Sequence, residues 1–195
     1  PYSDRLVSSA KAGEQPVKDT SAFVATPTYW GENKDVTHDY YHCVRGDMIW
    51  GMLYDPGAAK ALTGSQTMLD YYNDVLRPQG QNFIRKSFTG STSSFSGIAG
   101  KPMPTGPLAG VPMKLGGTVD LVMDFDSIGG AGHKCPFLYP NSHCRRNKVI
   151  SLSNYYENGD GLLIYPNGVP GTKGKACAIR MLLTDSGHYL IPMQE

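Results

Sequence analysis

The residues whose types best suit chemistry lie in one segment, Asp35-x-x-His38-Asp39-x-x-His42-Cys43. Two histidines four residues apart on a helix can bind one metal ion together. The aromatic residues around them favour a strand instead, on which His38 and His42 lie roughly 13 Å apart, too far for one ion. We therefore predict no metal ligand, no cofactor and no catalytic residue, with this segment as the strongest alternative.

A second candidate set is the three aspartates Asp120, Asp124 and Asp126. Their even spacing places them on one face of a strand, where paired carboxylates can do acid–base work or bind a hard cation. Apolar residues alternate with them, which is typical of a half-buried strand whose other face is solvated. The alternation therefore explains the three aspartates without a site.

Three histidines, His133, His143 and His188, could each supply a general base. The members of a Ser-His-Asp site need not be close in sequence, so such a site stays an alternative. No Gly-x-Ser-x-Gly motif supports it.

Three short motifs have simpler structural interpretations. The segment Thr184-Asp-Ser-Gly187 superficially resembles the Asp-Ser/Thr-Gly of retroviral-type aspartic proteases, but a hairpin turn accounts for it. Residues Asn154–Gly161 have calcium-loop residue types without the EF-hand spacing, and we interpret them as a hairpin tip. The integrin-type tripeptide Arg45-Gly46-Asp47 has apolar neighbours, which indicate burial rather than adhesion.

The four cysteines, Cys43, Cys135, Cys144 and Cys177, allow two disulfides in three possible pairings. Cys135 and Cys144 bracket a short segment with two prolines, so we favour Cys135–Cys144 and, with it, Cys43–Cys177. No Cys-x-x-Cys motif supports a zinc site. Disulfides predict an extracellular, periplasmic or virion-surface setting, and four reduced thiols are the alternative.

Composition limits the class of protein. The 195 residues are enough for one well-buried core, and their net charge of +1 predicts no nucleic-acid partner. The only tight basic group, Arg145-Arg146 with Lys148, is interpreted as a solvated turn rather than a phosphate site. No apolar run reaches the roughly 18–20 residues of a membrane span. The 23 glycines and 14 prolines indicate many turns and argue against a helical bundle.

Hydrophobic periodicity predicts a β-rich α+β fold, an antiparallel sheet or sandwich with one or two short helices. Asp55-Pro56 favours the start of a helix over 55–62, and an apolar stripe predicts a second helix over 65–77. Alternation predicts a strand over Thr118–Phe125. Turn residues divide the last third into two hairpins, Val149–Leu152 with Leu162–Tyr165 and Cys177–Leu183 with His188–Ile191.

Two segments lack a core of their own. Residues 1–20 are interpreted as an N-terminal arm, and 89–117, rich in Gly, Ser and Pro, as a long loop of a single domain over 21–195. Both are expected to lie against a partner surface, which predicts a homo-oligomer or another assembly subunit.

From these features we expect a structural subunit of an extracellular or virion assembly, such as a capsid, fibre, pilus-like or surface filament. The alternatives are a secreted hydrolase with a His/Asp site and a carbohydrate- or ligand-binding module. The hydrolase would use His133, His143 or His188 with Asp124 or Asp126. The sequence favours a protein that is not an enzyme without deciding the question.

Overall fold

The computed structural model describes residues 41–82, 84–86, 94–96, 102–128, 132–169 and 174–194. The strands in these ranges are β1 Cys43–Val44, β2 Asp47–Met48, β3 Gly51–Asp55, β4 Leu62–Gly64, β5 Ile84–Lys86, β6 Ser94–Ser96, β7 Pro102–Leu115, β8 Val119–Ile128, β9 Phe137–Pro140, β10 Ile150–Leu152, β11 Gly161–Tyr165, β12 Cys177–Leu183 and β13 Tyr189–Pro192. An 11-stranded sheet runs in the order β10-β11-β12-β13-β3-β9-β4-β8-β7-β5, with β6 beside β7, and β1 pairs with β2 separately. The β-rich fold is therefore as predicted, although the sheet is mixed, because β3 pairs with β9 and β4 with β8 in parallel.

The predicted helix over 65–77 is present. It consists of α1, Ser65–Tyr71, a π-helical turn Tyr72–Leu76 and a 3-10 turn Arg77–Gln79, and Gly80 ends it in the left-handed conformation. The second helix, α2, spans Asn141–Asn147, in the segment between the two cysteines where we expected only a loop.

The predicted helix over 55–62 is wrong. Asp55 is the last residue of β3, the next six residues form a turn and bends, and β4 begins at Leu62. The Asp55 side chain accepts hydrogen bonds from the N–H groups of Gly57 and Ala58, at 2.9 and 3.2 Å. The aspartate thus stabilises a local turn, which competes with helix formation.

The predicted loop over 89–117 differs from the structure over 102–115, where β7 forms a 14-residue strand. This strand pairs with β8 in antiparallel fashion, with a register shift between Thr105 and Leu108. Prolines are usually restricted to edge strands and irregular positions, so four of them in one segment concealed the strand. The arm over 1–20 and residues 89–93 and 97–101 lie outside the described residues.

The sheet curls so that distant strands face each other. The hydroxyl groups of Tyr139 on β9 and Tyr165 on β11 lie 2.6 Å apart, although three strands separate β9 from β11 in the sheet order. Adjacent residues of β3 point to opposite faces. Met52 belongs to the first core cluster, which includes Phe125, Phe137, Leu163 and Met181. Leu53 belongs to the second core cluster, with Tyr41, Val44, Leu62, Ile128, Cys135, Leu138 and Leu190.

Neither predicted disulfide is present, since all four cysteines are free thiols. Cys135 packs in the second core cluster and Cys144 in the first, so the sheet separates them. Cys43 contacts the turn that follows β12, whereas Cys177 begins that strand, roughly 20 Å away by the strand rise. The extracellular or virion setting, which depended on these bridges, stays a prediction.

Both predicted C-terminal hairpins are confirmed. Ile150 pairs with Ile164 across the first, and Leu182 pairs with Leu190 across the second. The strand predicted over Thr118–Phe125 is β8. In the part of the chain that is described, no helix has the length and apolar character to cross a membrane.

Candidate functional site

The segment predicted as the best metal-site alternative has its two described members in internal hydrogen bonds. His42 is fully buried, and its Nε2 donates to the carbonyl of Gly51 at 3.1 Å. The Cys43 thiol donates to the carboxylate of Asp185 at 3.0 Å. Asp35, His38 and Asp39 lie outside the described residues. Among the residues that are described, no group of three or more His, Cys, Asp and Glu side chains could hold a metal ion.

The three aspartates of β8 do not share one environment. Asp120 is exposed and Asp124 half-buried, whereas Asp126 is only 5% exposed and pairs with Lys60 at 3.7 Å. Asp126 is covered because β4 runs beside it, with Leu62 as its cross-strand partner. The solvated face predicted for these residues is therefore confined to the start of the strand.

The three candidate histidines lie in separate places. Burial lowers the pKa of His133, and its Nδ1 has no hydrogen-bond partner within the described ranges. Burial and the charge of Arg146 lower the pKa of His143, which Asp124 partly offsets. Burial also lowers the pKa of His188, which the Ser186 backbone and the charge of Asp55 partly offset. The structure thus relates His188 to Asp55, a residue not considered as its partner in the sequence.

The Thr184–Gly187 segment is the predicted turn between β12 and β13. Its aspartate, Asp185, accepts the Cys43 thiol and the N–H groups of Arg45 and Gly46, and these bonds hold its pKa below the ordinary value. The hydrogen bonds of Asp185 therefore link the β1–β2 turn to the C-terminal hairpin.

The tip over Asn154–Gly161 contains a buried ionic group. The Asp160 side chain is fully buried and accepts bonds from Arg45, Arg180 and the N–H of Leu183, the last two at 2.8 and 2.9 Å. Burial raises the pKa of Asp160, but these donors outweigh burial, and the pKa is lowered from its ordinary value. With its oxygens occupied by internal donors, Asp160 serves the tip as an anchor rather than as a cation ligand.

The turn with Arg45-Gly46-Asp47 is exposed, which contradicts the burial that we predicted for it. Positive φ angles of 55° and 86° at Arg45 and Gly46 form the tight turn between β1 and β2. The Arg45 guanidinium is nevertheless bonded to Asp160, so the tripeptide is held internally at its first residue. Arg145, Arg146 and Lys148 are exposed at the end of α2, as expected of a solvated turn.

The residue best placed for chemistry is Asp55, which the sequence pattern predicted as the start of a helix. Asp55 ends β3, and its cross-strand partner on the parallel strand β9 is Pro140, which ends β9. Because β9 also pairs with β4, it lies between the two strands that residues 56–61 connect. The connection must therefore pass over the carboxyl end of β9, and Asp55 lies at this crossing.

The crossing holds the carboxylate in one orientation. The N–H groups of Gly57 and Ala58 both donate to Oδ1 of Asp55, and the Ala58 N–H lies 3.1 Å from its carbonyl oxygen. Asp55 is half-buried, while Pro56 and Gly57 are exposed. In open α/β sheets, ligands bind beyond the carboxyl ends of the parallel strands, and Asp55 occupies the corresponding position on the parallel pair β3 and β9. This position and the fixed carboxylate suit acid–base chemistry.

Asp55 also lies near the second core cluster. Leu53, two residues earlier on the same face of β3, packs in this cluster, and half-buried Ala58 packs against it. Apolar side chains of this cluster thus lie on the same face of β3 as Asp55. The available sequence signal was Asp-Pro-Gly-Ala-Ala directly after an apolar strand, which we read as a helix start.

Comparisons of this chain with protein-family models, with curated proteins and with solved structures found no match.

Proposed function

We propose that this chain is a peptide hydrolase in which the carboxylate of Asp55 is the reacting group. In this proposal Asp55 acts as one half of a pair, and a second copy of the chain supplies the other. The hydrolase predicted as an alternative is thereby kept, but its site moves from the aspartates of β8 to the end of β3.

One observation carries the proposal. Asp55 is fixed by two N–H groups on Oδ1 where the connection from β3 to β4 crosses the end of β9. Hydrogen bonds from two N–H groups to one oxygen fix the direction of the other, and a fixed geometry is what general acid–base catalysis needs. The half-buried carboxylate also lies at the carboxyl ends of two parallel strands.

The pairing follows from chemistry. Hydrolysis by carboxylates uses two groups, one to activate water and one to protonate the leaving group or the carbonyl oxygen. Within the described part of the chain, no second carboxylate shares a hydrogen bond with Asp55. A symmetric dimer supplies a second Asp55 from an identical environment. Identical neighbouring carboxylates share one proton, which is the chemistry of aspartic proteases, whereas the two carboxylates of glycosidases differ in environment.

A structural subunit of an extracellular or virion assembly stays a prediction. Its basis was the arm over 1–20 and the loop over 89–117, and β7 occupies 102–115 of that loop. Self-association belongs to both hypotheses, because a paired site also requires a second copy.

The test is cleavage of a peptide library by the whole chain, followed by mass spectrometry of new termini between pH 4 and 7. We expect cleavage by the wild type and its loss in Asp55→Asn, which keeps the shape and the acceptor oxygen but removes the ionisable group. Asp120→Asn is the matched control, since Asp120 is an exposed aspartate on β8. Equal cleavage by wild type and Asp55→Asn would refute the proposal.

A further inference from the structure

A cavity of about 650 Å³ lies near the start of β3, at the other end of this strand from Asp55. Its walls come from residues of the helical segment over 71–81, from the β7–β8 hairpin over 112–122 and from the C-terminal segment. Met193 belongs to this lining, and its N–H donates to the carbonyl of Trp50, directly before β3, at 2.9 Å. Cavities of several hundred Å³ are typical of small-ligand sites.

The lining of the cavity grades from buried apolar residues to exposed, mostly polar ones. Its buried residues are Tyr71, Val75, Leu76, Met113 and Met193. Its exposed residues are Gln79, Gln81, Asp120 and Val122. Burial of a polar group without a partner is unfavourable, whereas burial of an apolar group is favourable. The cavity therefore suits a ligand with one apolar end for the floor and polar groups at the opening.

The floor contains one polar atom, the hydroxyl oxygen of Tyr71, which lies 3.4 Å from the carbonyl oxygens of both Pro112 and Met193. Both distances exceed the roughly 2.5–3.0 Å of an ordinary O–H···O bond. Tyr71 is 1% exposed, and burial raises the pKa of its hydroxyl group, which stays protonated. Within the described ranges no group donates to this oxygen. Because buried polar atoms are normally bonded, the unused lone pairs indicate an N–H group of a ligand as their partner.

The polar part of the lining carries no net charge. Lys114 and Asp120, its charged residues among those described, are cross-strand partners on β7 and β8. Three glutamines, Gln79, Gln81 and Gln194, supply amide groups that both donate and accept hydrogen bonds. Amide groups of a ligand complement these glutamines, and a ligand with a net charge meets no uncompensated opposite charge. A sugar, with hydroxyl groups around its ring, lacks the apolar end that the floor requires.

We infer that this cavity binds an uncharged peptide segment, with one apolar side chain on the floor and an N–H group donating to the hydroxyl of Tyr71. The inference goes beyond the proposed function, because Asp55 is not part of the described lining. It gives the chain a peptide-binding site at the end of β3 remote from the proposed reacting carboxylate.

The binding test titrates N-acetyl-leucinamide into the isotope-labelled whole chain and follows side-chain amide signals by NMR. This probe is uncharged, has two amide groups and carries one apolar side chain. We expect saturable shifts of Gln79, Gln81 and Gln194, with a Kd of about 1 mM or lower. Gln66 is the internal control, because its amide donates to Asp70 at 2.8 Å and lies outside the described lining. No saturable shift, or equal shifts of all four glutamines, would overturn the inference.

A second probe tests the apolar floor. N-acetylglycinamide has the same two amide groups without the apolar side chain, and it should bind at least about tenfold more weakly. Equal affinity for the two probes would contradict an apolar floor that selects the ligand.

Three variants locate the site. Val122→Lys should weaken binding about tenfold by placing a charge at the opening, and Tyr71→Phe about fivefold by removing the acceptor. Leu69→Lys is the matched control, since Leu69, 46% exposed against 54% for Val122, lies outside the described lining. Its Kd should stay within about twofold of the wild type. Urea denaturation checks that each variant is folded. Wild-type affinity in both Val122→Lys and Tyr71→Phe, or equal weakening in Leu69→Lys, would overturn the inference.

Asp55→Asn separates this site from the proposed reaction. The variant should bind N-acetyl-leucinamide as the wild type does, because its substitution is outside the cavity. Loss of probe binding in Asp55→Asn would overturn the inference. If Asp55→Asn still cleaves peptides and binds the probe, the proposed function fails and the peptide-binding cavity stands.

Discussion

Replacing Asp160 tests the contacts that link the C-terminal hairpins to the β1–β2 turn, which precedes β3 and Asp55. The side chain has no exposed surface, and its partners Arg45 and Arg180 are 48% and 46% exposed. Each hydrogen bond to a charged group contributes about 1.5–3 kcal/mol. In Asp160→Ala both arginines can be solvated by water, so the loss of their hydrogen bonds destabilises the fold by less than the full value. The N–H of Leu183 loses its acceptor outright.

From these terms we expect Asp160→Ala to lower the free energy of unfolding by about 3–4 kcal/mol at pH 7. Asp160→Asn should lose about 1–2 kcal/mol, since the amide keeps the volume and an acceptor for Leu183 but loses the charge. Urea denaturation monitored by fluorescence measures both. Glu157→Gln is the matched control, because Glu157 is exposed in the same hairpin tip, and its effect should stay within about 0.5 kcal/mol.

The pH dependence supplies an independent check on the same residue. The native pKa of Asp160 is below its ordinary value of 3.8, so its stabilisation is present at neutral pH and is lost as the pH falls through the native pKa. The stability difference between wild type and Asp160→Asn should therefore shrink below about pH 4. A loss in Asp160→Ala no larger than that of the Glu157 control would refute the buried ionic anchor.

Three further predictions concern the core, the histidines and the thiols. Leu163→Ala should cost about 2–5 kcal/mol in urea denaturation, since Leu163 is fully buried, whereas Leu69→Ala, at a position 46% exposed, should cost much less. Burial lowers the pKa of the three described candidate histidines, so the unfolded chain binds protons more readily than the folded chain. The melting temperature should therefore fall as the pH drops below about 6.5. A melting temperature that stays constant from pH 7 to 5 would contradict this. A thiol reagent should label all four cysteines without prior reduction, with half-exposed Cys43 faster than buried Cys135 and Cys144; protection of one pair until reduction would restore the predicted disulfides.

Local patterns predicted the elements that depend on neighbours in sequence. The two C-terminal hairpins were predictable because apolar runs flank polar turns, and the helix at 65–77 because its apolar residues form one stripe. The helix predicted over 55–62 was wrong because Asp-Pro-Gly-Ala-Ala is equally typical of a helix start and of an aspartate-stabilised turn. The insertion of β9 between β3 and β4, which decided between them, is a non-local pairing that no local pattern contains.

The sequence failed to predict the free cysteines and the candidate site at Asp55 for the same reason. Whether Cys135 can reach Cys144 depends on which face of the sheet each one occupies, and α2 places Cys144 opposite to Cys135. Asp55 became a candidate only when the parallel pairing with β9 placed it at a crossing of the chain. The aspartate in Thr184–Gly187, the one motif of the C-terminal third that resembled an active site, binds the β1–β2 turn instead.

The most direct test of a two-copy site is an experiment in subunit mixing. Wild type and Asp55→Asn are unfolded together in equal amounts, refolded, and assayed for peptide cleavage. In random dimers about half of the wild-type chains have a wild-type partner. If each site needs two Asp55 carboxylates, activity per wild-type chain should fall to about half of that of wild type refolded alone, and further as the variant is added in excess. Unchanged activity per wild-type chain at every ratio would contradict the paired site.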